Sequence, residues 1–138
     1  MGKFIIEGGH SLQGEIHPQG AKNEVLQILC ATLLTAEEIV LHNIPRIRDA
    51  LKMIELLSDL GVRVDRLDDH AYSFRASDIN LDYLTSDDFR EKSTALRGSV
   101  MIVGPLLGRF GKAVVPKPGG CLLYTSPSPR DRTRSRMP

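Results

Sequence analysis

The sequence has no long apolar run, few cysteines and almost no net charge, and each absence excludes a class of protein. No apolar run approaches the ~20 residues of a membrane-spanning helix, and residues 4–6 are too short an apolar stretch for a secretory signal. The two cysteines, Cys30 and Cys121, form no disulfide framework, so we expect a reducing, cytoplasmic environment. The net charge of +1 argues against nucleic-acid binding through bulk charge.

Motifs for metal and nucleophilic chemistry are also missing. The sequence contains no Gly-x-Ser-x-Gly, no Cys-x-x-Cys and no nearby pair of carboxylates with a claim to catalysis. We interpret its four histidines as structural because their spacing does not match that of metal ligands. These residues are His10, His17, His42 and His70. Neither a metal ion nor a cofactor is predicted.

The length of 138 residues fits one domain, and 41% hydrophobic with 25% charged residues is typical of a soluble globular protein. Strands that alternate with helices predict an α/β fold. Two pairs of strands follow each other without a helix between them, which excludes a simple doubly wound sheet. The pairs are 4–6 with 12–17 and 62–65 with 71–75. We therefore predict mixed sheets around buried helices, an α/β (α+β) arrangement.

Helical periodicity predicts three helices. They span residues 24–34, 47–60 and 93–109. The first has Asn23 as its candidate N-cap and apolar residues on almost every side, so we expect it to be buried on most sides. Gly61 ends the second helix, and Pro105 is expected to kink the third. Residues 77–92 are predicted to form a loop with at most a short helical turn, and residues 113–115 a strand.

The segment Gly20-Ala21-Lys22-Asn23 stands directly before the first helix. A lysine there adds a full charge to the positive end of the helix dipole, which suits a phosphate or a carboxylate. The segment is not a P-loop, because it lacks the upstream glycine and the Ser or Thr after the lysine. The alternative is that Lys22 is an ordinary solvated lysine.

Arg97 is the second candidate anion ligand. It lies near the start of an otherwise apolar, small-residue helix, and its planar guanidinium suits a carboxylate or a phosphate. The alternative is that its side chain simply faces solvent. Three other cations are interpreted as ordinary surface or helix-end charges, namely Arg90, Lys92 and Arg109.

Read together, a set of ordered motifs over residues 3–120 resembles the start of the UDP-N-acetylglucosamine enolpyruvyl transferases (1-carboxyvinyltransferases). The motifs are Leu12-Gln13-Gly14-Glu15, Gly20-Ala21-Lys22-Asn23, Asn43-Ile44-Pro45, Leu56-Leu57-Ser58-Asp59-Leu60-Gly61, Arg97-Gly98-Ser99, Gly104-Pro105-Leu106, Arg109-Phe110-Gly111 and Pro118-Gly119-Gly120. The sister family, the enolpyruvylshikimate-phosphate synthases, is expected to carry Gly-Ser-Lys at the second motif.

The resemblance implies a two-domain protein in which each domain is an inside-out α/β barrel with helices in the middle. Residues 1–21 would contribute strands to the second, missing domain, and 22–120 would form an incomplete first barrel. The implied reaction transfers the enolpyruvyl group of phosphoenolpyruvate to the 3′-hydroxyl of UDP-N-acetylglucosamine, the first committed step of peptidoglycan synthesis. The implied partners are these two small molecules, with no nucleic acid, membrane or obligate protein partner.

The resemblance also implies roles for four residues. Lys22 and Arg97 would bind the anionic groups of phosphoenolpyruvate, with Lys22 counted among the catalytic residues. Asn23 would contact the sugar substrate. The general acid would be Cys121, directly after Pro-Gly-Gly, and such a thiol needs a pKa tuned by nearby cations.

The end of the chain departs from this pattern. Residues 121–131 correspond to a translation of the synthetic DNA end used in transposon-based sequencing libraries, and the expected family continuation is absent. Residues 122–138 hold four arginines against a single acid, Asp131, with no apolar periodicity. We therefore predict that 121–138 is an artefactual, disordered tail. Family members carry either cysteine or aspartate at position 121, and both remain open for the source gene.

Three functional hypotheses follow. In the first, the chain is a truncated, inactive piece of the transferase. In the second, it is a stand-alone, non-catalytic domain that binds an anion, a nucleotide-sugar or a partner protein. In the third, the source gene encodes an enolpyruvylshikimate-phosphate synthase.

Overall fold

A computed structural model of the chain describes residues 3–9, 11 and 13–115. Within them the α-helices are α1 (Lys22–Ala31), α2 (Arg48–Asp59), α3 (Asp87–Thr94) and α4 (Val103–Phe110). The strands are β1 (Glu38–Leu41), β2 (Arg63–Arg66) and β3 (Tyr72–Arg75). Short 3-10 helices lie at Thr32–Leu34, Leu81–Thr85 and Arg97–Ile102. None of the helices in this part of the chain is long and apolar enough to cross a membrane.

The sheet has the order β1-β3-β2, with β3 antiparallel to both neighbours. The predicted hairpin of β2 with β3 is therefore confirmed. Ile39 and Val64 both lie opposite Phe74, so one row of apolar side chains crosses all three strands. Because side chains alternate along a strand, the row with Glu38 and Arg75 lies on the other face. Helices combined with a small sheet agree with the predicted α/β (α+β) class, but the sheet in the described residues is antiparallel throughout and not mixed as predicted.

Within residues 22–110, one core joins the helices to the apolar face of the sheet. Its fully buried side chains come from helices, strands and turns alike. They include Leu29, Leu33, Met53, Leu57, Phe74, Phe89, Ile102 and Leu106. Gly61 follows α2 with a φ of +105°, which confirms its predicted role at the end of that helix.

The first helix, α1, agrees with the prediction only in part, because it ends at Ala31, where a 3-10 segment at Thr32–Leu34 follows, and because its cap is a different residue. It begins at Lys22, and the N-cap residue Ala21 makes no side-chain capping bond, so Asn23 is not the cap. The expectation of burial on most sides holds only in part, because Ile28 is 41% exposed.

The segment before Arg97 was predicted wrongly as a loop. Residues Asp87–Thr94 form α3, whose N-cap Ser86 accepts a hydrogen bond from the Phe89 amide at 3.1 Å. The predicted third helix is divided, because a 3-10 segment at Arg97–Ile102 precedes α4. Pro105 is the third residue of α4 and so lies in its first turn, where proline is tolerated, and it does not interrupt the middle of the helix.

Three predicted strands do not form in the described residues. Residues 4–6, 13–17 and 113–115 have no ladder partner. In the first two segments the apolar side chains are almost fully exposed, with Phe4 at 94% and Ile16 at 89%. A strand needs a neighbour for its amides and carbonyls, and these segments find none in this part of the chain.

Candidate functional site

Lys22, Asn23 and Arg97 line one groove of about 370 Å³. Its other lining residues are Leu26, Asp49, Gly98, Val100 and Met101. The fold thus brings together three of the four residues singled out in the sequence, although Arg97 lies 74 positions after Asn23. The fourth, Cys121, lies outside the described residues.

Lys22 is placed by the first turn of α1. The Val25 amide donates to the carbonyl of the N-cap residue Ala21 at 3.0 Å, which closes the first turn of the helix around Lys22. The Lys22 ammonium pairs with Asp49 in the first turn of α2, and both side chains remain partly exposed, at 56% and 36%. A negatively charged ligand would therefore compete with Asp49 for this lysine.

Arg97 is placed by the backbone that follows it. A Cβ on Gly98 would lie 3.0 Å from the Leu26 Cδ1 atom, so this turn packs directly against α1. The Ser99 hydroxyl, fully buried, donates to the Ser93 carbonyl at 2.8 Å. The guanidinium itself is exposed and has no ion-pair or hydrogen-bond partner in the described residues. It faces solvent, as the alternative interpretation expected, and it also lines the groove.

Gly20 is held at a close approach behind Lys22. A side chain there would collide with the Asn43 carbonyl oxygen and would lie 3.2 Å from the Pro45 Cδ atom. Asn43 itself adopts a left-handed conformation, with φ at +58°. Such a conformation is uncommon for a residue other than glycine, although asparagine tolerates it better than most. The Gly20 position therefore requires glycine because of its neighbour.

The groove carries two cations against one carboxylate. Lys22 and Arg97 come from different elements, and Asp49 balances only the first of them. Two fixed cations beside a side-chain amide can hold a ligand that carries carboxylate or phosphate groups. No cluster of three or more histidine, cysteine, aspartate or glutamate side chains lies close enough to hold a metal ion in the part of the chain that the structure describes.

Cys30 is unsuited to acid or nucleophilic chemistry at neutral pH. It is 1% exposed, and its thiol lies 3.8 Å from the Met53 sulfur. Burial raises the pKa of this thiol to about 12, since the thiolate would lose its hydration.

Two cations that we interpreted as ordinary surface charges have structural roles. Arg109 donates from one nitrogen to the carbonyls of Leu33, Thr35 and Ala76, at 2.9, 3.0 and 2.8 Å. It therefore ties α4 to the segments around the sheet.

Lys92 connects α3 to α2. Its ammonium bonds Asp59 at 2.6 Å and also pairs with Asp88 at 3.3 Å. The bond to Asp59, followed by that to Asp88, raises the Lys92 pKa above its ordinary range. A hydrogen bond from Tyr83 lowers the pKa of Asp88. Sequence patterns could not find this network because its members lie on three separate segments.

Sequence reasoning also missed Asp49 and Gly98. An acid in the first turn of a helix is common, since it stabilises the helix dipole, so Asp49 gave no specific signal. Gly98 appeared in the sequence only as part of a motif, and its close contact with Leu26 supplies the reason for a glycine there.

Comparison with known proteins places these residues in a family. The family model for EPSP synthase (3-phosphoshikimate 1-carboxyvinyltransferase) matches residues 6–127, most of the chain and beyond Gly120. The chain is 59% identical over 120 residues to a UDP-N-acetylglucosamine 1-carboxyvinyltransferase of Bacteroides fragilis. Proteins of the same name from Bacteroides thetaiotaomicron and Porphyromonas gingivalis are 58% and 57% identical to it.

These alignments cover most of this chain but a small part of each relative. Each spans 87% of this chain but 28% of the relative. The chain thus corresponds to less than a third of the length of the curated relatives it matches.

Proposed function

The chain belongs to the EPSP synthase (3-phosphoshikimate 1-carboxyvinyltransferase) family of enolpyruvyl transferases, and on that premise we propose that its source gene encodes a cytoplasmic UDP-N-acetylglucosamine enolpyruvyl transferase. This enzyme moves the enolpyruvyl group of phosphoenolpyruvate onto the sugar 3′-hydroxyl and releases phosphate. The observation that carries the proposal is the convergence of Lys22, Asn23 and Arg97 on one groove. The names of the relatives at 57–59% identity support the choice of acceptor.

In this proposal Lys22 and Arg97 bind the anionic groups of phosphoenolpyruvate. Fixed cations suit a multiply charged substrate because they need no reorganisation when charge moves in the transition state. Asp49 holds the Lys22 ammonium in place until the substrate replaces it. Asn23, the next residue of α1, lines the same groove and contacts the sugar.

The reaction is an addition followed by an elimination. The 3′-hydroxyl group loses its proton to a general base and its oxygen bonds to C2 of phosphoenolpyruvate, while the methylene carbon takes a proton from a general acid. The second step breaks the bond between C2 and the phosphate oxygen, and loss of a proton from the methyl group restores the double bond. We propose position 121 for the general acid, as cysteine or aspartate. This position lies outside the described residues.

We further propose that the chain is a truncated and inactive part of the enzyme. Residues 22–120 would be an incomplete inside-out barrel, 1–21 would belong to the second domain, and 121–138 would be an artefactual tail. Exposed apolar side chains support this proposal, because further segments of the complete protein would cover them. Leu34 and Leu107, for example, are 55% and 51% exposed. The full set of catalytic groups would then require the remainder of the protein.

Turnover by the complete gene product and by the 138-residue chain tests both parts of the proposal. Each is incubated with phosphoenolpyruvate and UDP-N-acetylglucosamine, and released phosphate is compared with the enolpyruvyl sugar detected by mass spectrometry. We expect one phosphate per product from the complete protein and none from the chain. Use of shikimate 3-phosphate instead of the nucleotide-sugar would establish the sister activity. Turnover by the chain alone would contradict the truncation.

A non-catalytic binding domain is the second candidate, and the single buried core favours it. Side chains from α1, α2, α4 and the central strand share that core, so residues 22–110 contain much of what a folded unit needs. Hydrogen exchange of the purified chain tests this candidate. Slow amides through α1 and α4 would support it, whereas exchange at random-coil rates would exclude it.

A further inference from the structure

We propose that His70 is a positioning residue for Lys22, acting through the loop at residues 43–45. The inference rests on the proposed function, because it concerns how the anion-binding lysine is held. His70 lies in the turn between β2 and β3 and is exposed. Nothing in its sequence context separates it from the other three histidines.

The first link joins His70 to Ile44 by two hydrogen bonds. The Ile44 amide donates to the His70 carbonyl at 2.8 Å. In return the His70 Nδ1 atom lies 2.9 Å from the Ile44 carbonyl oxygen. Since a carbonyl can only accept, Nδ1 carries the proton and donates. Both backbone polar groups of Ile44, its N–H and its C=O, are therefore hydrogen-bonded to His70.

The turn that holds His70 is itself fixed. The His70 amide donates to the Asp68 carboxylate at 2.6 Å, and the Leu67 amide donates to the Ala71 carbonyl at 2.9 Å. Asp69 pairs with Arg46 at 3.6 Å, which adds a second connection between the turn and the loop that follows Ile44. The imidazole is therefore presented from a rigid support.

The second link joins the loop to Gly20. Asn43, the residue before Ile44, has its backbone in the left-handed region, and its carbonyl oxygen faces Gly20 without space for a Cβ. A left-handed asparagine requires support from its surroundings. The bonds between Ile44 and His70 supply that support on the following residue.

The third link joins Gly20 to the site. Two residues after Gly20, Lys22 begins α1, and the Val25 amide bonded to Ala21 closes the first turn. A displacement of Asn43 would release Gly20 and so change where the helix begins. The ammonium would then no longer face the groove that it shares with Arg97.

Amide hydrogen exchange in the complete 138-residue chain tests these links without reference to activity. We expect His70→Ala to accelerate exchange of the Ile44 and Val25 amides about 3- to 10-fold, which corresponds to the net value of one hydrogen bond. His70→Asn should restore slow exchange at both amides, because its side-chain NH₂ can take the place of Nδ1. The Leu60 amide at the end of α2 should be unchanged.

A matched control is His42→Ala. His42 is exposed, lies two residues from Ile44 and has no hydrogen bond in the described residues, so its replacement should leave the Val25 amide unchanged. If His70→Ala accelerates only the Ile44 amide, the histidine has a local role in the turn and the proposal is wrong.

Kinetics of the complete gene product give the functional readout. His70→Ala should raise the KM for phosphoenolpyruvate about 3- to 10-fold, and His70→Asn should return it toward the parent value. If Val25 exchange is accelerated in His70→Ala but the KM is unchanged, Lys22 does not bind phosphoenolpyruvate, and the proposed function fails while the structural link between His70 and α1 holds. If the Val25 amide exchanges at the parent rate in His70→Ala and the complete enzyme is active, the positioning role of His70 is wrong and the proposed function is unaffected.

Discussion

Two regions of this chain contain apolar segments that differ sharply in burial. Between residues 22 and 110, Leu29 and Phe74 are completely buried, and the strands and helices share one core. Before residue 20, Phe4, Ile5 and Ile6 are 94%, 77% and 90% exposed, and no strand forms in the described residues. The difference shows that an apolar pattern forms structure only where the chain also contains its partners.

The physical reason is that burial and hydrogen bonding both need a second surface. A strand leaves amides and carbonyls that only a neighbouring strand or water can satisfy. In β3 both edges are paired, so its residues contribute to the core from the centre of the sheet. Residues 4–6 have no such neighbour in this part of the chain.

The largest expected effect separates the two regions directly. Phe74→Ala should lower the free energy of unfolding by about 3–5 kcal/mol, because it removes a completely buried ring from the central strand. Phe4→Ala should change it by less than about 0.5 kcal/mol. Urea denaturation followed by circular dichroism measures both. Equal losses for the two variants would show that residues 3–9 pack onto the core in solution.

Arg109→Met is expected to have the next largest effect. It leaves three backbone carbonyls without their charged donor, and hydrogen bonds to charged groups contribute about 1.5–3 kcal/mol. We expect a loss of about 2–3 kcal/mol in the same assay. Arg63→Met is the control, since Arg63 is exposed and its one ion pair in the described residues is with Asp65. A loss no greater than that of the control would show that water replaces Arg109.

The smallest effect concerns the polar face of the sheet. A hydrogen bond from Ser73, followed by the charge of Arg75, lowers the pKa of Glu38 below its ordinary value of 4.5. A carboxylate with a lowered pKa stabilises the fold above its ordinary pKa, and this contribution is lost as the pH falls through the folded-state value.

Glu38→Gln should therefore reduce the difference in urea midpoint between pH 7 and pH 3. The adjacent Glu37→Gln should leave that difference unchanged, because Glu37 is exposed and has no ion-pair partner in the described residues. The effect should be small and should weaken in high salt, since Glu38 and Arg75 are both about half exposed. A larger pH dependence of the urea midpoint in Glu38→Gln would show that ionised Glu38 does not stabilise the fold.

Local patterns predicted the elements that depend on local chemistry. The glycine at position 61 and the hairpin of β2 with β3 follow from turn and strand signals that lie within a few residues. The other elements depend on contacts between residues that lie far apart in the sequence, and local patterns do not predict such contacts. Helix α3 was missed because charged residues dominate its sequence, so its Ser86 cap and its packing through Phe89 decide the outcome.

The site shows the same division. Lys22 and Arg97 could be selected from the sequence because each cation precedes an apolar helical segment. Their common groove depends on the contact of Gly98 with Leu26, which no local pattern encodes. Asp49 was missed for the same reason, since its importance comes from its ion pair with a lysine on another helix.

The central claim is that Lys22 and Arg97 bind one anionic substrate, and kcat/KM for phosphoenolpyruvate in the complete gene product tests it most directly. Lys22→Met and Arg97→Met should each lower this value by about 10²- to 10³-fold, as expected when a fixed group that stabilises developing charge is removed. Arg90→Met is the matched control, because Arg90 is exposed and pairs with Asp87. An Arg97→Met enzyme that retains the kcat/KM of the Arg90→Met control would contradict the account.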